Sequence, residues 1–140
     1  AKYGVPCCLM HNREKSDYRM LIPDICADLE ESLAIAEDAG IDPDQIILDP
    51  GIGFGKTYEQ NLAVIHHLEE LNRFDLPILL GTSRKSVIGL TLDLPAEERM
   101  EGTLVTTVLA VEKGCSFVRV HDVRENVRAI RMARAILEAE

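Results

Sequence analysis

Four short apolar segments punctuate the chain: Val5 to Met10, Ile46 to Leu48, Ile78 to Leu80 and Phe117 to Val120. None alternates cleanly with polar residues, the pattern of strands buried on both faces. Between and after them, apolar residues recur at helical spacing. Ile25, Leu29, Leu33 and Ala36 form one stripe, which Gly40 ends. Tyr58, Leu62, Ile65, Leu68 and Leu71 form a second that stops before Pro77. Met100, Leu104, Thr107, Leu109 and Val111 mark a third helix, opened by Pro95 and closed by Gly114. Val127, Ile130, Ala133 and Leu137 make a terminal helix. Strand and helix thus alternate four times, which calls for parallel strands with right-handed crossovers. An open doubly wound sheet and a (β/α) barrel both accommodate that order. A complete barrel takes eight units and typically about 250 residues, so 140 residues make half of one.

Composition narrows the classes. The apolar share, 46%, is spread along the whole chain and is too high for disorder, and the length suits one domain spanning residues 1–140. A net charge of −9 argues against nucleic-acid binding, which needs a basic face. No apolar run is long enough to span a membrane, and the start of the chain has no secretory signal pattern. Cys7, Cys8, Cys26 and Cys115 follow neither zinc-ligand nor disulfide spacing. They read as buried, reduced thiols of a cytoplasmic protein, with Cys7 and Cys8 on opposite sides of a strand.

The polar clusters change the picture most, because each one follows a strand. In parallel α/β folds the loops at the carboxyl ends of the strands carry the ligand chemistry. His11-Asn12-Arg13 follows the first strand, and Asp49-Pro50-Gly51-Ile52-Gly53-Phe54-Gly55-Lys56 the second. Gly81-Thr82-Ser83-Arg84-Lys85-Ser86 follows the third, and Arg119-Val120-His121-Asp122 ends the fourth. An acidic chain therefore gathers Arg13, Lys56, Arg84, Lys85, Arg119 and two histidines on one rim, which suits an anionic small ligand such as a phosphate ester. Asp49, at the end of a buried strand, must be hydrogen-bonded or paired if ionised. It is suited to accept from two N–H groups of a nitrogen heterocycle. Gly51, Gly53 and Gly55 permit close backbone approach, and Phe54 between them offers a flat surface to a ring. The spacing is neither that of a P-loop nor GxGxxG. The Ser-Arg-Lys-Ser segment reads either as a polar loop or as an anion site before a short helix from Ser86 to Leu90. Arg119 and His121, two apart on a strand, share a face. His66 and His67 read as surface or packing residues, and Met10 as core or as a pocket wall.

These motifs, together with Leu9-Met10-His11-Asn12-Arg13, Glu101-Gly102-Thr103 and the run on to Val87-Ile88-Gly89, resemble those of the dihydropteroate synthase family. The resemblance covers essentially all 140 residues in order. Val87 is a mild departure, at a position where the family often has Phe. The resemblance implies a (β/α)8 TIM barrel, of which this chain is about four βα units, strands 5–8, the carboxyl-terminal half of a pterin-binding domain. It implies condensation of 6-hydroxymethyl-7,8-dihydropterin pyrophosphate with p-aminobenzoate, giving dihydropteroate and pyrophosphate in folate biosynthesis. Carried over residue by residue, Asp49 binds the pterin ring nitrogens. Lys85 and Arg119 are the catalytic pair and also touch the pterin. Met10, Gly53, Phe54, Gly81 and Ser83 line the pocket, and Arg119, Val120 and His121 hold the diphosphate. Mg2+ is the implied cofactor, with no ligand in this chain and its main protein ligand in the other half. Homodimerisation through the last helices is implied as well. The family's first-strand asparagine, its mobile first and second loops and its pterin contacts from strands 3 and 4 have no counterpart here. The chain alone is therefore expected to have little or no activity. Two other readings compete: a pterin-binding methyltransferase module, and a non-catalytic half-barrel with a vestigial site.

Overall fold

In the computed structural model, which describes residues 1–139, a parallel sheet carries helices on one side only. β1 (Cys7–Met10) pairs with β2 (Ile46–Asp49) in register from Cys7 opposite Ile46 to Met10 opposite Asp49. β3 (Leu79–Leu80) pairs with β4 (Phe117–Val118). A parallel bridge from Leu48 to Ile78 joins the two pairs in the order β1-β2-β3-β4. Packed along the sheet are α1 (Leu21–Asp38), α2 (Tyr58–His66), α3 (Ser86–Leu92), α4 (Met100–Glu112) and α5 (Val123–Leu137). Four consecutive parallel strands with outer helices are the arrangement of half a (β/α)8 barrel, one of the two architectures that the alternation accommodates.

Burial on both faces does not hold. Leu48, Ile78 and Leu80 are buried against Ile25, Leu29, Ile65 and Leu68 on the helical side. The alternate residues fall on the other face, the inside of a barrel, and towards the two ends of the sheet they are open: Met10 is 37% exposed and Phe117 47%, while Asp49 between them is buried. The strand sequences look doubly buried because a closed barrel would bury both faces. The strands are also shorter than their apolar runs. Val5 and Pro6 precede β1, and Arg119 and Val120 follow β4. Buried thiols are likewise overpredicted: Cys26 is buried, whereas Cys8 is exposed and Cys7 and Cys115 are half-buried, all four free. Cys7 and Cys8 do take opposite sides of β1.

Two helix boundaries differ from the apolar stripes. The second stripe is not one helix, since α2 stops at His66 and Leu68–Phe74 forms a 3-10 segment beyond it. Leu68 and Leu71, three residues apart, suit three residues per turn and are both buried. His66 and His67 at the break are exposed. Pro95 does not open α4. It caps a separate 3-10 turn at Ala96–Glu98, and α4 begins at Met100. The first stripe ends as predicted, with Gly40 N–H on Glu37 O and Ile41 N–H on Ala36 O.

Candidate functional site

The loops leaving the four strands meet at one end of the sheet. β2 runs straight into Asp49, which is 2% exposed. Its Oδ1 accepts the backbone N–H of Gly51 at 2.8 Å, a local turn that fixes the carboxylate. Two glycines let this loop close on its neighbour. A Cβ on Gly51 would lie 1.8 Å from the carbonyl oxygen of His11, and one on Gly55 2.2 Å from that of Arg13. Both have positive φ, 69° and 56°. The glycine-rich loop is therefore pressed against the backbone of the loop after β1, as only glycine permits. Between them Gly53 N–H donates to the buried Asn61 side chain at 2.7 Å. Phe54 at the tip is 39% exposed.

From β3 comes Gly81, whose open side receives the Arg119 guanidinium, with Nη2 3.2 Å from where a Cβ would stand. Lys85 reaches across from the same loop. Its ammonium donates to the carbonyl of Ile52 and sits 4.9 Å from the centre of the Phe54 ring. Burial pushes the Lys85 pKa down, the negative field of Asp49 pulls it up and Arg119 opposes that. One carboxylate and two cations thus share a field. Ser83 Oγ accepts the backbone N–H of His121 at 3.1 Å and lies 2.8 Å from His121 Nδ1. The two contacts fix the His121 ring against the loop after β3. Val120 is half-buried between exposed Arg119 and His121. Its side chain takes the other face, so what it offers at the rim is main chain.

The predicted site residues thus assemble: Met10 beside Asp49 by strand register, Gly53 and Phe54 against Lys85, Gly81 against Arg119, and Ser83 on His121. The rim of free cations does not survive intact. Arg13 is held by Asp28 through Nε and Nη2, at 2.5 and 2.9 Å, and Arg84 by Asp122 at 2.8 Å. His11 is buried, and Lys56 turns behind the glycine-rich loop to meet it. Among the described residues, Lys56, Lys85 and Arg119 are the rim cations without an acidic partner within salt-bridge distance, and the three hydrogen bonds of Lys56 go to His11 and to the carbonyls of Gly51 and Phe54. No group of three or more His, Cys, Asp or Glu suited to a metal occurs among the described residues. No helix is long and apolar enough to cross a membrane.

Some supporting residues escaped the sequence reading. Asp28 ties down both His11 and Arg13, and Asn61 holds Gly53. Thr103 Oγ1 accepts the N–H of Arg84, while Arg99 Nη1 donates to the Arg84 carbonyl. Asp28 and Asn61 carried a signal, since each sits on the apolar stripe of its helix, three positions after Ile25 and Tyr58. A polar residue on a buried stripe needs a partner.

Comparison with known proteins agrees with this geometry. The pterin binding enzyme family matches residues 1–121. A dihydropteroate synthase of Clostridium beijerinckii is 60% identical over 98% of this chain and 51% of its own length. That of Bacillus subtilis is 53% identical over 98% of this chain and 48% of its own. The chain spans about half the length of the curated relatives it matches. A Yersinia pestis dihydropteroate synthase solved with a pterine-sulfa conjugate superposes with a TM-score of 0.96 at 40% identity, covering 99% of this chain and 55% of the other. By sequence match and by fold, the chain belongs to the pterin binding enzyme family.

Proposed function

We propose that this chain is the second half of a dihydropteroate synthase barrel and supplies its pterin and diphosphate contacts. The observation that carries the reading is the convergence of Asp49, Lys85 and Arg119 on the open inner face, with His121 beside them. Relatives that bear this name, and the solved relative holding a pterin conjugate, support it.

The chemistry arises from the groups present. Displacing pyrophosphate from the pterin methylene leaves positive charge on the ring and negative charge on the leaving group. Asp49, fixed by Gly51 N–H, accepts ring N–H donors with its remaining oxygen capacity and favours the cationic ring. Lys85, held by the Ile52 carbonyl, donates to the ring's acceptor atoms. The Arg119 guanidinium against Gly81 offsets the charge of the departing oxygens, and the His121 ring held by Ser83 lies beside it to hydrogen-bond them. The Mg2+ that the family implies would have its main protein ligand in the other half of the barrel, and Arg119 and His121 are the diphosphate contacts of this half. A pterin-binding methyltransferase would have no anion for those two residues. Self-association belongs to the same reading, because Val105 and Val108 on α4 and Met132 and Ile136 on α5 leave apolar surface exposed on the last two helices.

Calorimetry with the dihydropterin pyrophosphate tests the reading. The chain is expected to bind it, with free pyrophosphate competing. Asp49→Asn, which keeps an oxygen for Gly51 N–H, should weaken binding by about 10- to 100-fold. Equal affinity in the two proteins would overturn the proposal.

A further inference from the structure

The glycine-rich loop has a strut behind it that the pocket residues do not account for. Lys56 Nζ donates to the carbonyls of Gly51 and Phe54, both at 3.1 Å, and to His11 Nδ1 at 2.8 Å. An ammonium has three protons, and all three are used. Since Nδ1 accepts, the neutral His11 ring carries its proton on Nε2, which donates to Asp28 Oδ2 at 2.9 Å. The imidazole itself is solvent-inaccessible, at 0%. A carboxylate on α1, an imidazole after β1 and an ammonium after β2 thus form one chain of hydrogen bonds. It ends on the two carbonyls that bracket Ile52 and Gly53. Those are the residues whose backbone holds or abuts Lys85, and Gly51 N–H is what fixes Asp49.

We propose that Lys56, oriented by His11 and Asp28, is a positioning residue that sets the glycine-rich loop, and through it Asp49 and Lys85, for pterin binding. The inference rests on the pterin reading above. Lys56 does not touch the ligand site itself, since its protons point at the back of the loop. Deprotonation removes one of three donors and leaves one acceptor without a partner. His11 protonation turns Nδ1 into a donor facing another donor. The arrangement therefore holds only with Lys56 charged and His11 neutral. The charged and titratable groups around Lys56 are Asp49 from β2, Lys85 from the loop after β3, Asp28 from α1, and Arg13 and His11 from the loop after β1. Burial outweighs the rest and brings the Lys56 pKa down to about 8.

That value gives the strut a signature that a purely structural lysine would not show. With its pKa depressed in the folded state, Lys56 contributes a stability that rises between pH 8 and the ordinary lysine range, because only the unfolded chain stays protonated there. Pterin affinity should move the opposite way and fall as pH rises through about 8. The experiment compares dihydropterin binding by the wild-type chain and by Lys56→Met from pH 6.5 to 9.5. Titration of the ligand itself is common to both proteins, so the difference between the two profiles is what is read. Lys56→Met should bind about ten-fold more weakly at pH 7, and the difference should vanish near pH 9. An unchanged affinity, or a difference constant across pH, would overturn the proposal. A second readout, hydrogen exchange of the Gly51–Gly55 amides in the wild type and in Lys56→Met at pH 7, needs no ligand. Corrected for the intrinsic rate, protection should be lower in the variant across this loop and equal in the two proteins at Val64 and Ile65. Unchanged loop protection would also count against the strut. Absence of pterin binding in the wild type would sink the pterin reading while leaving the exchange result to decide the coupling.

Discussion

At the scale of single residues, the polar groups fall into those aimed at the open face and those that hold the first set still. His11 shows why the sequence blurs the two. In the chain it is one more histidine beside an arginine after a strand. In the fold its ring is enclosed, and Asp28, seventeen residues on, decides its tautomer. Nothing local in His11-Asn12-Arg13 announces that partner, whereas Asp49 is fixed by Gly51 of its own loop, and Lys85 and Arg119 are legible as cations carried at strand ends. The buried ring also predicts an acid response. Burial and then Lys56 push the His11 pKa below the ordinary histidine value, against the favourable pull of Asp28. The unfolded chain therefore binds the proton more readily, and stability falls as pH drops below about 6.5. Asp28, held low chiefly by its bond to Arg13, adds a second loss only at pH below the usual carboxylate range. Thermal melts from pH 7.5 to 4.5 should show the first decline, and His11→Gln should flatten it between pH 6.5 and 5. An equal decline in the variant would assign the acid limb to other groups.

Elements were read well where a stripe had a clear stop and poorly where the stop was tertiary. Gly40 ends α1 through its own backbone bonds, but the break after His66 depends on Leu68 and Leu71 packing into the core as a tighter turn. Periodicity alone cannot separate a four-residue step from a three-residue one over so short a run. The loops, in turn, are cross-tied in ways that spacing does not encode. Arg84 has a left-handed φ of 57°, with its N–H on Thr103, its carbonyl under Arg99 and its guanidinium on Asp122. This strap joins the loop after β3 to the residue after His121, next to the Ser83–His121 bond. Asp122→Asn should cost little stability, about 0.5–1 kcal/mol, because the pair is partly exposed. It should weaken pyrophosphate binding several-fold by freeing the end of the β4 loop. Calorimetry with pyrophosphate checks this, and a variant less stable but unchanged in pyrophosphate affinity would show that the strap serves the fold alone.

For the whole molecule, the open inner face and the share of relatives covered point the same way. Inside a barrel, Met10, Phe117 and the exposed Cys8 would meet side chains from the opposite strands. Here they meet solvent, and β1 and β4 are the two ends of the sheet, with edge groups ready to pair. The same exposure explains why the strands read as doubly buried from sequence: residue types record the closed barrel, even where the chain supplies only half of it. The anion and pterin contacts proposed for this half lie on that open face, where water competes with every hydrogen bond and weakens each charge. The chain alone should therefore bind pterin weakly and turn over no measurable dihydropteroate. Mixing it with the unmatched half of a curated relative should restore turnover. Mixing should also quench the fluorescence of an anilinonaphthalene dye bound to the bare face, both changes saturating at one half per half. Phe117→Asp should block closure, because Phe117 is 47% exposed and alternates with Val118, which packs on the helical core. Full turnover by the unmixed chain, or dye quenching that Phe117→Asp leaves untouched, would mean that the inner face is not the surface that closes the site.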